Sequence, residues 1–401
     1  MHVDGRQTLI LAILVLFVGR YVTRRFAWLT RYSIPEPVTG GLIASVVLSI
    51  AVAASGSTVT FDLANRDTLL VAFFTTIGLA ARVPLLLAGG AFLALLTAIA
   101  VVNIVVQNLV GVGLMSAMGL PPALGLLTGS AGLLGGHGTV LAWAPIITER
   151  FGVAGAAELG AATATLGLIV GGVLGGPLGE RLIVRHRLSG AHAQTLSVGL
   201  PREGEATQKL DADAVLSSLL VIALAMAVAD VVNDFLGAAG VVLPGFVAAL
   251  LTGIVMSNTI PYLFPRLRWP AGSPAMALIS EVALGLFLAM SLMTLNLATL
   301  QGTALPLVVV VTAQVVLSWV LLCHVVFPLL GRSYDAAVTT AGYFGLTLGA
   351  TPTAIAIMTA ITKTHGASPR AFLVLPLVGA FFVDIANAIV LQGFIQWLAP
   401  P

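Results

Sequence analysis

A chain of 401 residues that is 58% hydrophobic and 8% charged is excluded from the soluble globular class, where about 25% of residues are charged. Its mean hydropathy of +1.06 assigns lipid as the solvent for most of its surface. A net charge of +2 is too small to favour nucleic acid, and the single cysteine, Cys323, excludes an intrachain disulfide and a cysteine metal cluster.

The first apolar run, "TLILAILVLFVGRYV", has no small-residue cleavage site after it and is flanked by Arg24, Arg25 and Arg31. It is expected to stay as the first helix, over 8–23. Apolar runs of spanning length follow at 34–54, 68–81, 89–117 and 155–180. The third is short and can begin before residue 68. A long hydrophilic stretch, 185–213, divides the chain into 1–184 and 214–401. Five more spans follow it, at 214–236, 242–260, 274–297, 303–330 and 370–397. With the first helix ending inside, all of the 18 Lys and Arg except Arg6, Arg20, Arg66 and Arg150 fall on the cytoplasmic side. Both termini are then outside and the 185–213 linker is cytoplasmic.

Two apolar stretches, 123–148 and 337–363, are too short for two crossings and are broken by Gly, Thr or Pro. Each is expected to form a re-entrant hairpin of two half-length helices with its tip near the midplane. In "GATPTAI", Thr351 is expected to cap the returning half-helix, with Pro352 at its first position. In "GGHGTVL", Thr139 or His137 has the same part.

The two stretches align at an offset of 214 residues, Gly135 with Gly349, Thr139 with Thr353 and Gly152 with Gly366. Around them "IPEPVTGGLI" (34–43) aligns with "LPGFVAALLT" (243–252), Phe74 with Phe287, and Gln107 with Gln314. Five spans per half is odd, so the second half lies upside down. The expected fold is an all-α polytopic membrane protein of two inverted five-helix repeats, each with a broken-helix hairpin, an architecture of secondary transporters. A returning half-helix presents unpaired N–H groups that suit a carboxylate. An arriving one ends in free carbonyls that suit Na⁺. No GxxxxGK[ST] phosphate loop is present, so uptake is expected to run on ion coupling.

The chain resembles the bacterial sodium/glutamate symporter family along nearly its whole length. The matching stretches include "YSIPEPVTGGL", "LLVAFFTTIGL", "VVQNLVGVG", "GGHGTVLAW", "ERFG", "SYDAAV", "LGATPTAIA" and "AFLVLPLVGAFFVDIANA". The resemblance implies Na⁺-coupled glutamate uptake in the bacterial inner membrane by a homodimer, with a mobile part moving elevator-like against a scaffold. Na⁺ is the coupling ion and no cofactor is implied. Glu281 and Asp230 are charges the family pattern does not require. A Na⁺- or H⁺-coupled symporter of another small carboxylate, such as citrate, is the alternative. An enzyme is disfavoured because no HExxH or GxSxG occurs.

The candidate substrate contacts are Gly136, His137, Gly138 and Thr139 at the first tip and Thr351, Pro352 and Thr353 at the second. Gln107, Asn108, Thr165 and Arg150 join them. Gln107 and Asn108 interrupt an apolar helix, where an interhelical hydrogen bond is the plainer role. Thr163 and Thr165 can each bond an i−4 carbonyl. Arg150 can meet a carboxylate substrate or pair with Glu149 or Glu158, and Glu281 can pair with a neighbouring helix. His137 is read as a polar cap or substrate contact ahead of a proton switch. The Na⁺ candidates are Asp384, a carboxylate deep in the last span, Asn387 on the same face, and the backbone of Gly135, Gly349 and Ala350. "GLIVGGVLGGPLG" (167–179) is read as close helix packing.

Overall fold

The computed structural model describes the whole chain except residues 1, 32–33, 56–58, 82–89, 190–210, 239–242, 265–268, 271–272, 297–301 and 400–401, and the side chains of 30–31, 55 and 380–381. Most of the hydrophilic linker therefore lies outside the described residues.

The helices are α1 (Gly5–Arg25), α2 (Ala27–Arg31), α3 (Glu36–Ser55), α4 (Ala64–Ala80), α5 (Gly90–Ala117), α6 (Leu124–Leu127), α7 (Gly136–Phe151) and α8 (Ala156–His186). After the linker come α9 (Ala212–Ala238), α10 (Gly245–Leu263), α11 (Pro274–Met293), α12 (Ala304–Leu321), α13 (Phe327–Leu329), α14 (Tyr334–Leu348), α15 (Thr351–His365), α16 (Pro369–Leu377) and α17 (Val383–Leu398). Among the described residues, eight helical stretches are long and apolar enough to cross a membrane, which makes the chain a nearly all-α polytopic membrane protein. Of the ten expected spans, the third is the shorter α4, which begins before residue 68 as the sequence allowed. The tenth is split between α16 and α17. Among the described residues, the departure from all-α is a two-residue parallel pairing of β1 (His2–Val3) with β2 (Thr60–Phe61).

Two wide π turns interrupt the later spans, Leu322–Val326 between α12 and α13, and Val378–Phe382 between α16 and α17. Proline explains the first. Pro328 has no N–H for the carbonyl four residues back, and its ring clashes with it. The Phe327 N–H reaches instead to the Leu322 carbonyl, five residues back.

The chain forms two compact units, each built from both sequence halves. One holds most of α1 and α3, then α4, α9, α10 and α11. Several of its glycines are close-approach points. A Cβ on Gly40 would collide with the Val15 carbonyl, and one on Gly78 with the Leu250 carbonyl. Ser257 Oγ donates to the Leu79 carbonyl at 2.6 Å. Helix α11 starts with full cap chemistry, Ser273 accepting from the Met276 N–H and Pro274 following. Asp230 and Glu281 lie exposed in this unit, and Glu281 has no ion pair among the described residues, against the pairing expected of it.

The other unit holds α5 to α8 and α12 to α17. One apolar core unites α5, α8, α14, α15 and α16 with the turn that follows α12, through Leu96, Ile104, Leu178, Phe344, Ile357, Val374 and Leu322. All the candidate site residues belong to this unit.

Candidate functional site

Both expected helix interruptions are present. The first runs from Thr128 to Gly135, between the single turn of α6 and the longer α7. The second is the pair Gly349–Ala350 between α14 and α15. Ala350 is fully extended there, at φ −162° and ψ 165°. The expected caps are corrected: α7 is preceded by Gly135 and α15 by Ala350, neither with a side-chain cap hydrogen bond. His137 and Thr139 lie inside α7, and Thr351 is the first residue of α15 with Pro352 second. Main chain alone forms both helix starts, so the first-turn N–H groups stay uncapped by any N-cap side chain.

The two breaks meet. Gly136 is left-handed at φ 67°, and a Cβ placed on it would lie 3.5 Å from the Gly349 carbonyl oxygen. A Cβ on Gly135 would lie 2.7 Å from Asn387 Nδ2 and 2.7 Å from Thr139 Oγ1. Glycine at 135 and 136 is therefore what allows the first tip, the second tip and α17 to converge.

Side chains from α5 and α17 hold the first break. Asn108 Oδ1 accepts from the Ser130 N–H at 3.1 Å. The Ser130 hydroxyl lies 2.6 Å from Asn387 Oδ1 and 2.9 Å from Asn108 Oδ1, and donates to one of them at a time. Asn387 Nδ2 donates to the Ser130 carbonyl at 3.2 Å. Gln107 serves the second break, its Nε2 donating to the Thr347 carbonyl at 3.0 Å, in the last turn of α14. Gln314 Nε2 in turn donates to the Gln107 carbonyl at 2.7 Å. The interhelical bond offered as the plainer role for Gln107 and Asn108 is present for both. Asn108 Nδ2, Gln107 Oε1 and Thr353 Oγ1 are nonetheless buried with no partner among the described residues. Buried polar atoms are rarely left so.

His137 is buried and lies 3.0 Å from Thr165 Oγ1. Thr165 spends its proton on the Ala161 carbonyl at 2.9 Å, so it accepts from the His137 Nε2–H. Thr163 bonds the Leu159 carbonyl at 2.8 Å. Both threonines thus show the i−4 bond read from sequence. Asp384 is half-buried, one turn before Asn387, with no hydrogen bond or ion pair among the described residues. The π turn just before it carries Gly379, where a Cβ would collide with Thr351 Oγ1.

Arg150 does not join this assembly. It is exposed at the far end of α7, roughly 20 Å along the helix from Gly136. It makes no ion pair with Glu149 or Glu158 among the described residues. Glu158 accepts from the Asn296 N–H at 2.8 Å instead. Gly138 lies within the first turn of α7 and Pro352 is exposed on α15.

Sequence reasoning missed Ser130, the Thr347 carbonyl and Gly379. Ser130 carried a signal, being a polar residue inside the apolar "LLTGSAGLL". The stripe read as helix packing does pack closely, against the second broken helix. Cβ atoms on Gly167, Gly175 and Gly179 would collide with the Leu348 carbonyl, Ile357 and Ile361 respectively.

The sodium/glutamate symporter family profile matches residues 1–367. A protein of Escherichia coli strain K12 named sodium/glutamate symporter is 40% identical over 405 aligned residues, covering 98% of each chain. One of the same name from Haemophilus influenzae is 36% identical over 390 residues, covering 96% of each.

Proposed function

Because the chain belongs to the sodium/glutamate symporter family, we propose that it is a secondary transporter taking up glutamate with Na⁺ by alternating access. The observation that carries the reading is the meeting of two helix breaks at Gly136 and Gly349 inside one compact unit. The starts of α7 and α15 supply first-turn N–H groups for the substrate carboxylates. Asn108 Nδ2, a buried donor without a partner, suits the same charge. Thr139, Thr353, His137 and Thr165 complete the substrate wall.

The cation side is made of oxygen. Asp384, Asn387 and the carbonyls of Gly135, Gly349 and Ala350 are the Na⁺ ligand candidates, hard donors of the kind Na⁺ takes. Gln107 Oε1, a buried acceptor without a partner, suits Na⁺ or the substrate ammonium. Arg150 has no part in this reading.

The two breaks act as re-entrant tips of inverted repeats, 1–184 and 214–401, placed from opposite membrane faces. The unit that bears them moves as an elevator while the other stays as scaffold, in a homodimer in the bacterial inner membrane. Both termini are periplasmic and the linker cytoplasmic. That one unit carries every convergent site residue supports this division of labour.

Purified protein in proteoliposomes tests the reading. Labelled glutamate should accumulate under an inward Na⁺ gradient and stop when K⁺ or H⁺ replaces Na⁺. Unlabelled glutamate should compete and citrate should not. Uptake indifferent to Na⁺, or blocked by citrate, overturns the assignment. Single cysteines in place of Arg150 and Lys363, exposed in the last turns of α7 and α15 away from the tips, should label from opposite faces of sealed vesicles. Labelling from one face overturns the inverted arrangement.

A further inference from the structure

A second polar cavity lies away from the helix breaks, at the ends of α8 and α12–α13 in the same unit. It measures about 230 Å³. Its cationic lining is Arg181, Arg185 and Arg332, with His186 and His324 beside them. Trp319 and Phe327 form an aromatic wall, and the His186 and Phe327 rings lie 5.0 Å apart. No carboxylate lines the cavity, and none pairs with the three arginines among the described residues. Glu180, next to Arg181 in sequence, is engaged by His365 at 2.7 Å. Three guanidinium groups around one small cavity repel each other unless an anion sits between them.

The local backbone is built to keep them there. Arg181 and Arg185 are one turn apart on α8, hence on one face. The π turn at Leu322–Val326 carries Cys323 and His324, both of which line the cavity. Arg332 is left-handed at φ 52°, directly after Gly331 at φ 93°. A β-carbon-bearing residue is strained in that region, so the turn gives up stability to aim an arginine at this rim. Arg187, at the end of α8, is the other non-glycine residue with positive φ among the described residues.

The cavity is at the ends of two spanning helices, where a bilayer meets water. Apolar side chains face outward beside it. Val184 is 64% exposed and lies between Arg181 and Arg185 in sequence, and Leu329, 54% exposed, follows Pro328. We propose that this cavity binds the phosphodiester headgroup of an anionic phospholipid, whose acyl chains run along the outward apolar faces of α8 and α12–α13. Arginine forks match phosphate oxygens bidentately, and paired basic residues at a membrane boundary hold anionic lipid.

The test is lipid retention and lipid-dependent stability of the full-length protein in detergent. Phosphatidylglycerol should remain bound in native mass spectrometry and raise the melting temperature, while phosphatidylcholine and inorganic phosphate should do neither. Arg181→Gln with Arg185→Gln should weaken phosphatidylglycerol binding about thirtyfold, from the worth of a basic residue at an anionic membrane surface. Should the double variant not fold, Arg332→Gln alone should weaken it about fivefold by the same measure. Stabilisation by phosphatidylcholine to the same degree, by inorganic phosphate alone, or of the variants as strongly as of the parent protein overturns the proposal. Glutamate uptake has no part in these readings, so the test stands whatever the transported solute proves to be.

Discussion

The two helix breaks serve one meeting point but are held by different physics. The first is eight residues of turn, Thr128–Gly135, after a single helical turn. It is stitched by an Asn108–Ser130–Asn387 network in which side chains replace missing backbone partners. The second is two residues between helices of 15 residues each. It is fixed by contact, with Gly167 against the Leu348 carbonyl and Gly379 against Thr351, and one amide, Gln107, on Thr347. A long interruption exposes many peptide groups and needs polar side chains. A short one exposes few and needs only room, which glycine provides.

This contrast can be broken most severely at Gly167. A Cβ there meets backbone and cannot be relieved by a rotamer change. Gly167→Ala is expected to cost about 1–3 kcal/mol or more and to abolish uptake. Gly176→Ala on the same helix, where a Cβ meets nothing within 4 Å, should be silent. Equal melting temperatures for the two variants would remove the glycine account of the second break.

Asp384→Asn comes next. It keeps the shape of the side chain and removes the charge, so expression and melting should persist while Na⁺-driven uptake falls on the order of a hundredfold, about 2.7 kcal/mol at ~1.4 kcal/mol per decade. Normal uptake would take Asp384 out of the ion site.

A double-mutant cycle sharpens the comparison further. Ser130→Ala and Asn387→Ala should couple by about 0.5–3 kcal/mol in thermal or denaturant stability, because they share one network. Ser130→Ala and Gly379→Ala, which touch different breaks, should be closer to additive. Coupling of the second pair as strong as the first would mean the breaks are not separately supported.

The smallest effect is expected at Thr165. Thr165→Val removes the acceptor of the His137 hydrogen bond and should cost about 1 kcal/mol. If the His137–Thr165 pair orients the substrate wall, the KM for uptake should rise several-fold with little change in melting.

Much of this is legible in the sequence. Glycine and proline punctuation located both breaks, and the apolar run lengths located nearly every span. What hid Ser130 was its neighbourhood, since a serine among glycines reads as turn chemistry until Asn108 and Asn387 are placed beside it. Arg150 misled for the opposite reason. It lies near His137 in sequence, but a helix carries it some 20 Å away. The caps misled because a threonine beside a break has the right chemistry, while the geometry there is met by main chain.

The sequence by itself determined the solvent, the helical class, the positions of the interruptions and the family, because these follow from composition, local backbone preference and ordered motifs. Only the tertiary structure decided that Gly136 lies against Gly349, that α17 brings Asn387 to Ser130, and that elements of both halves share each compact unit. Those facts depend on contacts between residues more than 200 positions apart, which no local pattern encodes.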